Sequence, residues 1–158
     1  MNAEALAGLA IDPPLQLAHP ASSLSLAAAS LACQRAVAHA CALGVRVNVA
    51  VVDRSGILIA FQRMPGAPLH SMDVAVDKAY TATSFNFPTR EWGDVLATFS
   101  ETVQKGILLR PRLVVFGGGV PLREQGELLG AIGVSGASEE QDEQCALAGV
   151  VAIGADRV

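Results

Sequence analysis

Apolar and polar positions change their spacing several times along the chain, and each change marks an element. Residues 25–43 form an Ala/Leu-rich run of high helix propensity. Ser25 is placed to cap its start and Gly44 to end it, with Leu31, Val37, Cys41 and Leu43 as the expected apolar stripe. The period then shortens to two: Val45, Val47, Val49 and Val51 alternate with Arg46, Asn48 and Ala50. Asp53-Arg54-Ser55-Gly56 has turn chemistry, and residues 57–63 return, so 45–63 reads as a β-hairpin. Pro65, Gly66 and Pro68 exclude regular structure from the following loop.

A second helix is expected over 70–84, with Met72, Val76, Ala79 and Tyr80 inward, ended by Asn86-Phe87-Pro88. Thr89 is expected to cap a short third helix reaching about Phe99. Residues 112–116 read as a strand running into Gly117-Gly118-Gly119, and 127–135 as another, in which Gly130 and Gly133 imply close backbone approach. Ser138 and Gln141 form a capping box for a last helix, with Leu147, Val150 and Val151 as its buried face. Hairpin-joined strands interleaved with helices predict an α/β (α+β) domain, an antiparallel sheet with helices packed on its faces.

Composition sharpens this picture. The 158 residues suit one domain, expected over 23–158 behind an arm of weak periodicity at 1–22. Half the residues are apolar, but few are aromatic, so the core is one of small side chains. The net charge is −4 and the 11 basic residues are scattered. Nucleic acid and anionic membrane surfaces demand concentrated positive charge, so neither is an expected partner. No apolar run reaches bilayer-spanning length and the first residues lack a basic leader, which predicts a cytoplasmic protein. Cys33, Cys41 and Cys145 form no CxxC pair and, in apolar surroundings, read as reduced, buried thiols.

Candidate chemistry is sparse. Gly117-Gly118-Gly119 lacks a P-loop ending and reads as a side-chain-free wall for a ligand or a second subunit. Lys78 lies beside Asp73, Asp77 and Thr81, either as part of a solvated ion pair or as a pocket lysine that binds a carboxylate or moves a proton. His39, among alanines of the first helix, is either a surface residue or a haem ligand. His70 follows the Pro/Gly loop at the start of the second helix, and Ser135 lies between a strand and a capped helix. The spacings of zinc sites, nucleophile elbows and dinucleotide folds are missing, so no metal site is expected.

The strings NVAVVDRSGILIAFQRMPGAPLHSMDVAVDKAYTA, VVFGGGVPL and GELLGAIGVSGASEEQDE resemble the GlcG/HbpS family, which includes the C-terminal domain of PduO-type proteins. The likeness covers about 130 residues, the extent of one domain. It implies a profilin-like or PAS-like fold with a five-stranded antiparallel sheet, assembly into a homo-oligomer (dimer, tetramer or octamer), and haem as a ligand of several members. Among matching positions, Arg63, Lys78, Ser135, Glu140 and Asp142 are those that the fold alone does not demand. Residues 99–111 depart from the family's Gly/Pro-rich loop.

Two functions follow as expectations. One is a binding module, requiring no cofactor but admitting haem. It would hold a small organic ligand between the Pro/Gly loop, the second helix and the triple glycine, with Arg63, Gly117, Gly118, Gly119, Ser135 and His39 in contact and His39 or His70 as axial ligand. The other is a cofactor-free isomerase, hydratase or lyase in which Lys78, His70, Glu140 and Asp142 move protons and the glycine amides stabilise an enolate.

Overall fold

The structure is a computed structural model that describes residues 16–156. Of the expected arm at 1–22, residues 1–15 lie outside the described residues, and 16–22 are exposed and without regular structure. Helix α1 spans Leu26–Leu43, β1 Asn48–Asp53, β2 Leu58–Arg63 and α2 Ser71–Phe85. A 3₁₀ turn at Thr89–Glu91 leads into α3 (Trp92–Ala97) and then α4 (Glu101–Ile107). Strands β3 (Gly119–Glu124) and β4 (Glu127–Ser135) precede α5 (Glu139–Ala152).

The mixed fold with an antiparallel sheet is as expected, but the sheet has four strands, in the order β2-β1-β4-β3, not five. The missing strand is the one read at 112–116. That segment finds its backbone partner on a side chain: Thr81 Oγ1 donates to Arg112 O at 2.9 Å and accepts from Val114 N at 3.1 Å. Pairing begins only at Gly119, opposite Gly133.

Several local signals behave as the sequence indicates. Ser25 Oγ accepts from Ala28 N, and Gly44 closes α1 at φ 72°. Asp53 Oδ1 accepts from Ser55 N and Ile57 N, fixing the hairpin turn. Ser138 and Gln141 form the full capping box.

Other expectations fail as well, and Cys41, read as buried, is exposed. The buried face of α1 is Ala29, Ala32, Cys33, Ala36 and Ala40, not the larger stripe, because the helix lies close on both the sheet and α5. Helix α2 likewise buries Ala75, Lys78, Ala79, Ala82 and three hydroxyl residues, leaving Met72 and Tyr80 only half-buried. In α5, Val151 faces solvent, and the buried side includes Asp142, Glu143, Cys145 and Val150. Thr89 caps no helix; its Oγ1 accepts from Gly119 N at 2.9 Å instead. Residues 99–111, read as a loop, contain α4.

The sheet separates two cores. Helices α1 and α5 cover one face through Val49, Val51, Val120, Leu122, Ile132 and Val134. Helix α2 covers the other through Val52, Ala79, Ala82 and Ala131. This second interface is close: a Cβ on Gly133 would lie 2.0 Å from Ala75 O, and one on Gly130 2.2 Å from Val52 O. One helix among the described residues, α1, has the length and apolarity to cross a membrane; here it buries one face, Ala29, Ala32, Cys33, Ala36 and Ala40, against the sheet and α5.

Candidate functional site

Strand pairing sets where the candidate residues fall. Arg63, Asn48, Ser135 and Gly119 all lie at one end of the sheet. Arg63 is on one edge strand and Gly119 on the other, three strand spacings or about 14 Å apart. The Pro/Gly loop and the triple glycine therefore do not face each other across a pocket. Met64 and Ala67 of that loop are core residues. Arg63 is exposed and donates to Ala67 O at 3.3 Å, beside a cleft of about 350 Å³ that it shares with Val37, Cys41 and Met64. Ser135 is buried opposite Asn48. Asn48 Nδ2 donates to Ser71 Oγ at 2.7 Å and to Pro68 O at 3.1 Å, while its Oδ1 is buried without a partner.

Lys78 and Asp142 do come together. Lys78 is fully buried, and its Nζ donates to Asp142 Oδ2 at 2.8 Å and Val134 O at 2.9 Å, 4.9 Å from the centre of the Phe116 ring. Burial lowers the pKa of the ammonium from its ordinary value, against the pull of Asp142. Asp142 Oδ1 accepts from Ala137 N at 3.1 Å. This pair ties α2 to the start of α5. Gly118 leaves room for it: φ is +112°, and a Cβ would meet Lys78 Nζ at 2.8 Å.

The triple glycine offers no free amide. Gly117 N donates to Glu139 Oε2 at 3.3 Å, Gly118 N to Glu143 Oε2 at 2.7 Å, and Gly119 N to Thr89 Oγ1. Glu143 Oε1 in turn accepts from Arg90 Nη1 at 2.7 Å. An enolate would have to displace two carboxylates and a hydroxyl to use these donors. Above the loop lies a cleft of about 440 Å³ lined by Arg90, Gly93, Val115, Phe116 and Glu139, Glu140 and Glu143. Glu140 is exposed, and its own backbone N–H and Ser138 lower its pKa. His70 is exposed at the start of α2 and makes no capping bond. Of the four proposed proton-transfer residues, only Lys78 and Asp142 are in contact.

His39 lies elsewhere, half-buried in a groove of about 690 Å³ between α1 and α5. The other lining residues are Arg35, Gln144, Leu147, Ala148, Val151 and Ala152. Arg35 is one turn before His39 on the same helix face. Neither makes a side-chain hydrogen bond or ion pair among the described residues. The sequence reading missed Arg35, although its i, i+4 spacing from His39 was there to find. It also missed Arg90 and Glu143, the latter hidden among the acidic residues of the α5 cap.

A family profile described as haem degrading protein HbpS-like matches residues 24–151. An uncharacterised 15.0 kDa protein from the dhaT-dhaS intergenic region of Citrobacter freundii is 36% identical over 121 residues, 77% of this chain and 85% of that protein. The corrinoid adenosyltransferase PduO of Salmonella typhimurium is 38% identical over 118 residues, which are 75% of this chain but 35% of PduO. Among solved structures, a PduOC:haem complex superposes with a TM-score of 0.78 at 35% identity, covering 85% of this chain and 97% of that one.

Proposed function

The chain belongs to the HbpS-like family, and from that premise we propose that it binds haem, or a flat organic carboxylate of that kind, in the groove between α1 and α5. The observation that carries this reading is the side-chain set of the groove. His39 offers an imidazole with no partner among the described residues, Arg35 a guanidinium one turn away, and Leu147, Ala148, Val151 and Ala152 an apolar wall. These residues fit the group: imidazole for iron, guanidinium for a propionate, small apolar side chains for the porphyrin face. Bound haem would bring iron-centred redox and ligand chemistry, while this chain's part is to hold and orient the ring. Arg63, expected in contact with the ligand, and Lys78, expected to bind a carboxylate, lie elsewhere, and Lys78 is already paired.

The groove is open toward solvent, and Val151 on its wall is 58% exposed. A second copy of the chain packed over it would shield the ligand, in keeping with the homo-oligomer expected of this family.

Haemin titration of the purified chain, followed at the Soret band, tests the reading. A saturable, stoichiometric shift is expected, abolished in His39→Ala and retained in His70→Ala. Arg35→Ala should weaken binding by about tenfold or more, the worth of one charge-assisted hydrogen bond. Unchanged binding by His39→Ala would overturn the assignment.

A further inference from the structure

Between α3 and Val114 the chain leaves the body of the domain as residues 98–111, carrying α4. No side chain of α4 is buried. Phe99, Val103, Leu108 and Leu109, in and beside it, are 36%, 45%, 51% and 83% exposed. A single exposed leucine needs no explanation, but four apolar side chains on one short hook form a surface.

Both stems of the hook are fixed. Before it, Trp92 is buried and packs edge-on against Phe85, ring centres 4.7 Å apart. After it, Arg112 holds a φ of 66°, pinned by an ion pair to Asp77 at 2.8 Å and by the Tyr80 ring 3.6 Å below its guanidinium. The same stems line the cleft above the triple glycine: Gly93 on one side, Val115 and Phe116 on the other. Gly93 opens onto free space, since a Cβ there would meet nothing within 4 Å, and Phe116 is 45% exposed. The hook therefore rises from the mouth of a cleft whose aromatic wall is as unmatched as its own apolar face.

We propose that residues 98–111 are a strap that closes over this cleft when an apolar ligand fills it. Closure over an empty cleft would enclose a void and forfeit contacts on both of its walls. The ligand supplies the missing surface, so the strap stands open without it. Charge then selects the ligand. Glu139, Glu140 and Glu143 line the cleft against Arg90 alone, and Arg90 is already paired with Glu143. A carboxylate would meet like charge there, whereas a neutral aromatic molecule or one bearing an alkylammonium group would not. The preference is opposite to that of the His39 groove, whose one lining charge is Arg35.

The test uses the whole chain carrying Cys41→Ser, to remove the exposed thiol, and Leu109→Cys labelled with an environment-sensitive fluorophore. Acrylamide quenching of the label is read against benzyl alcohol, benzylamine and benzoate. Benzyl alcohol and benzylamine should lower the quenching constant several-fold and saturably, with no response to benzoate and no change on dilution of the protein. Phe116→Ala should abolish the response. Gly93→Leu, which fills the cleft from the opposite wall without touching a neighbour of Lys78, should do the same. His39→Ala should leave the response intact, which separates this inference from the haem reading. Quenching unmoved by all three probes would overturn the proposal. So would protection that grows with protein concentration, which would make the hook a contact between copies.

Discussion

Lys78→Met tests whether the buried ion pair is what joins α2 to α5. Methionine keeps most of the length and volume of lysine and removes its charge and donors. Asp142, only 2% exposed, then keeps a carboxylate inside the protein with Ala137 N as its remaining partner. Val134 O loses a donor as well. Removing one member of a buried pair costs about 3–5 kcal/mol, because the other charge is left uncompensated. Against a total stability of about 5–15 kcal/mol for a domain of this kind, that is a large fraction. The double variant Lys78→Met/Asp142→Asn removes both charges of the pair, and its amide oxygen can still accept from Ala137 N. Its expected loss is about 1–2 kcal/mol, the worth of the remaining hydrogen bonds. Urea unfolding at neutral pH, with the dependence on urea unchanged between variants, reads both numbers. A double variant as unstable as the single one would refute the reasoning, since the loss would then come from packing and not from charge.

Three further outcomes follow from buried groups. Burial pushes the Cys33 thiol up to about 12 and, with Asp142 nearby, Cys145 up to about 11. Both folded values lie above the unfolded 9.0, so their stabilising effect is complete below pH 9 and is lost as pH rises toward 11 and 12. Between pH 8 and pH 10 stability should fall by about 1.4 kcal/mol per buried thiol; Cys33→Ala should reduce that slope in urea titrations, and an unaltered slope would count against it. In native protein a thiol reagent should modify one cysteine per chain, Cys41, and all three only after unfolding, because Cys33 and Cys145 are buried. Gly133→Ala places a methyl 2.0 Å from Ala75 O, and thermal unfolding should show a loss of about 1–3 kcal/mol or more; a wild-type midpoint would mean that α2 can lift off the sheet freely.

Where local chemistry decides an element, the sequence was readable. The Ser25 and Ser138 caps, the Asp53 turn and the glycines of β4 each act within a few residues, and each is where the pattern placed it. The inward faces were misjudged for a different reason. In a chain whose helices lie on the sheet through alanine, the largest apolar residue in a turn is not the one that faces in, so Leu31 and Met72 misled and Ala32 and Ala75 were passed over. The segment 112–116 looked like a strand because Leu113 to Phe116 has strand composition, yet a hydroxyl from α2 took the backbone groups a neighbouring strand would have used. The site was legible in still smaller part. Lys78 and Asp142 stood out among the positions matching the family pattern, but no spacing rule links two residues on different helices 64 positions apart. The same limit hid the use of the triple glycine. Its amides were assigned to a ligand, whereas Thr89, Glu139 and Glu143 take them from three directions. The loop is thus a structural joint held by side chains, which leaves the His39 groove and the Phe116 cleft as the surfaces proposed for ligands.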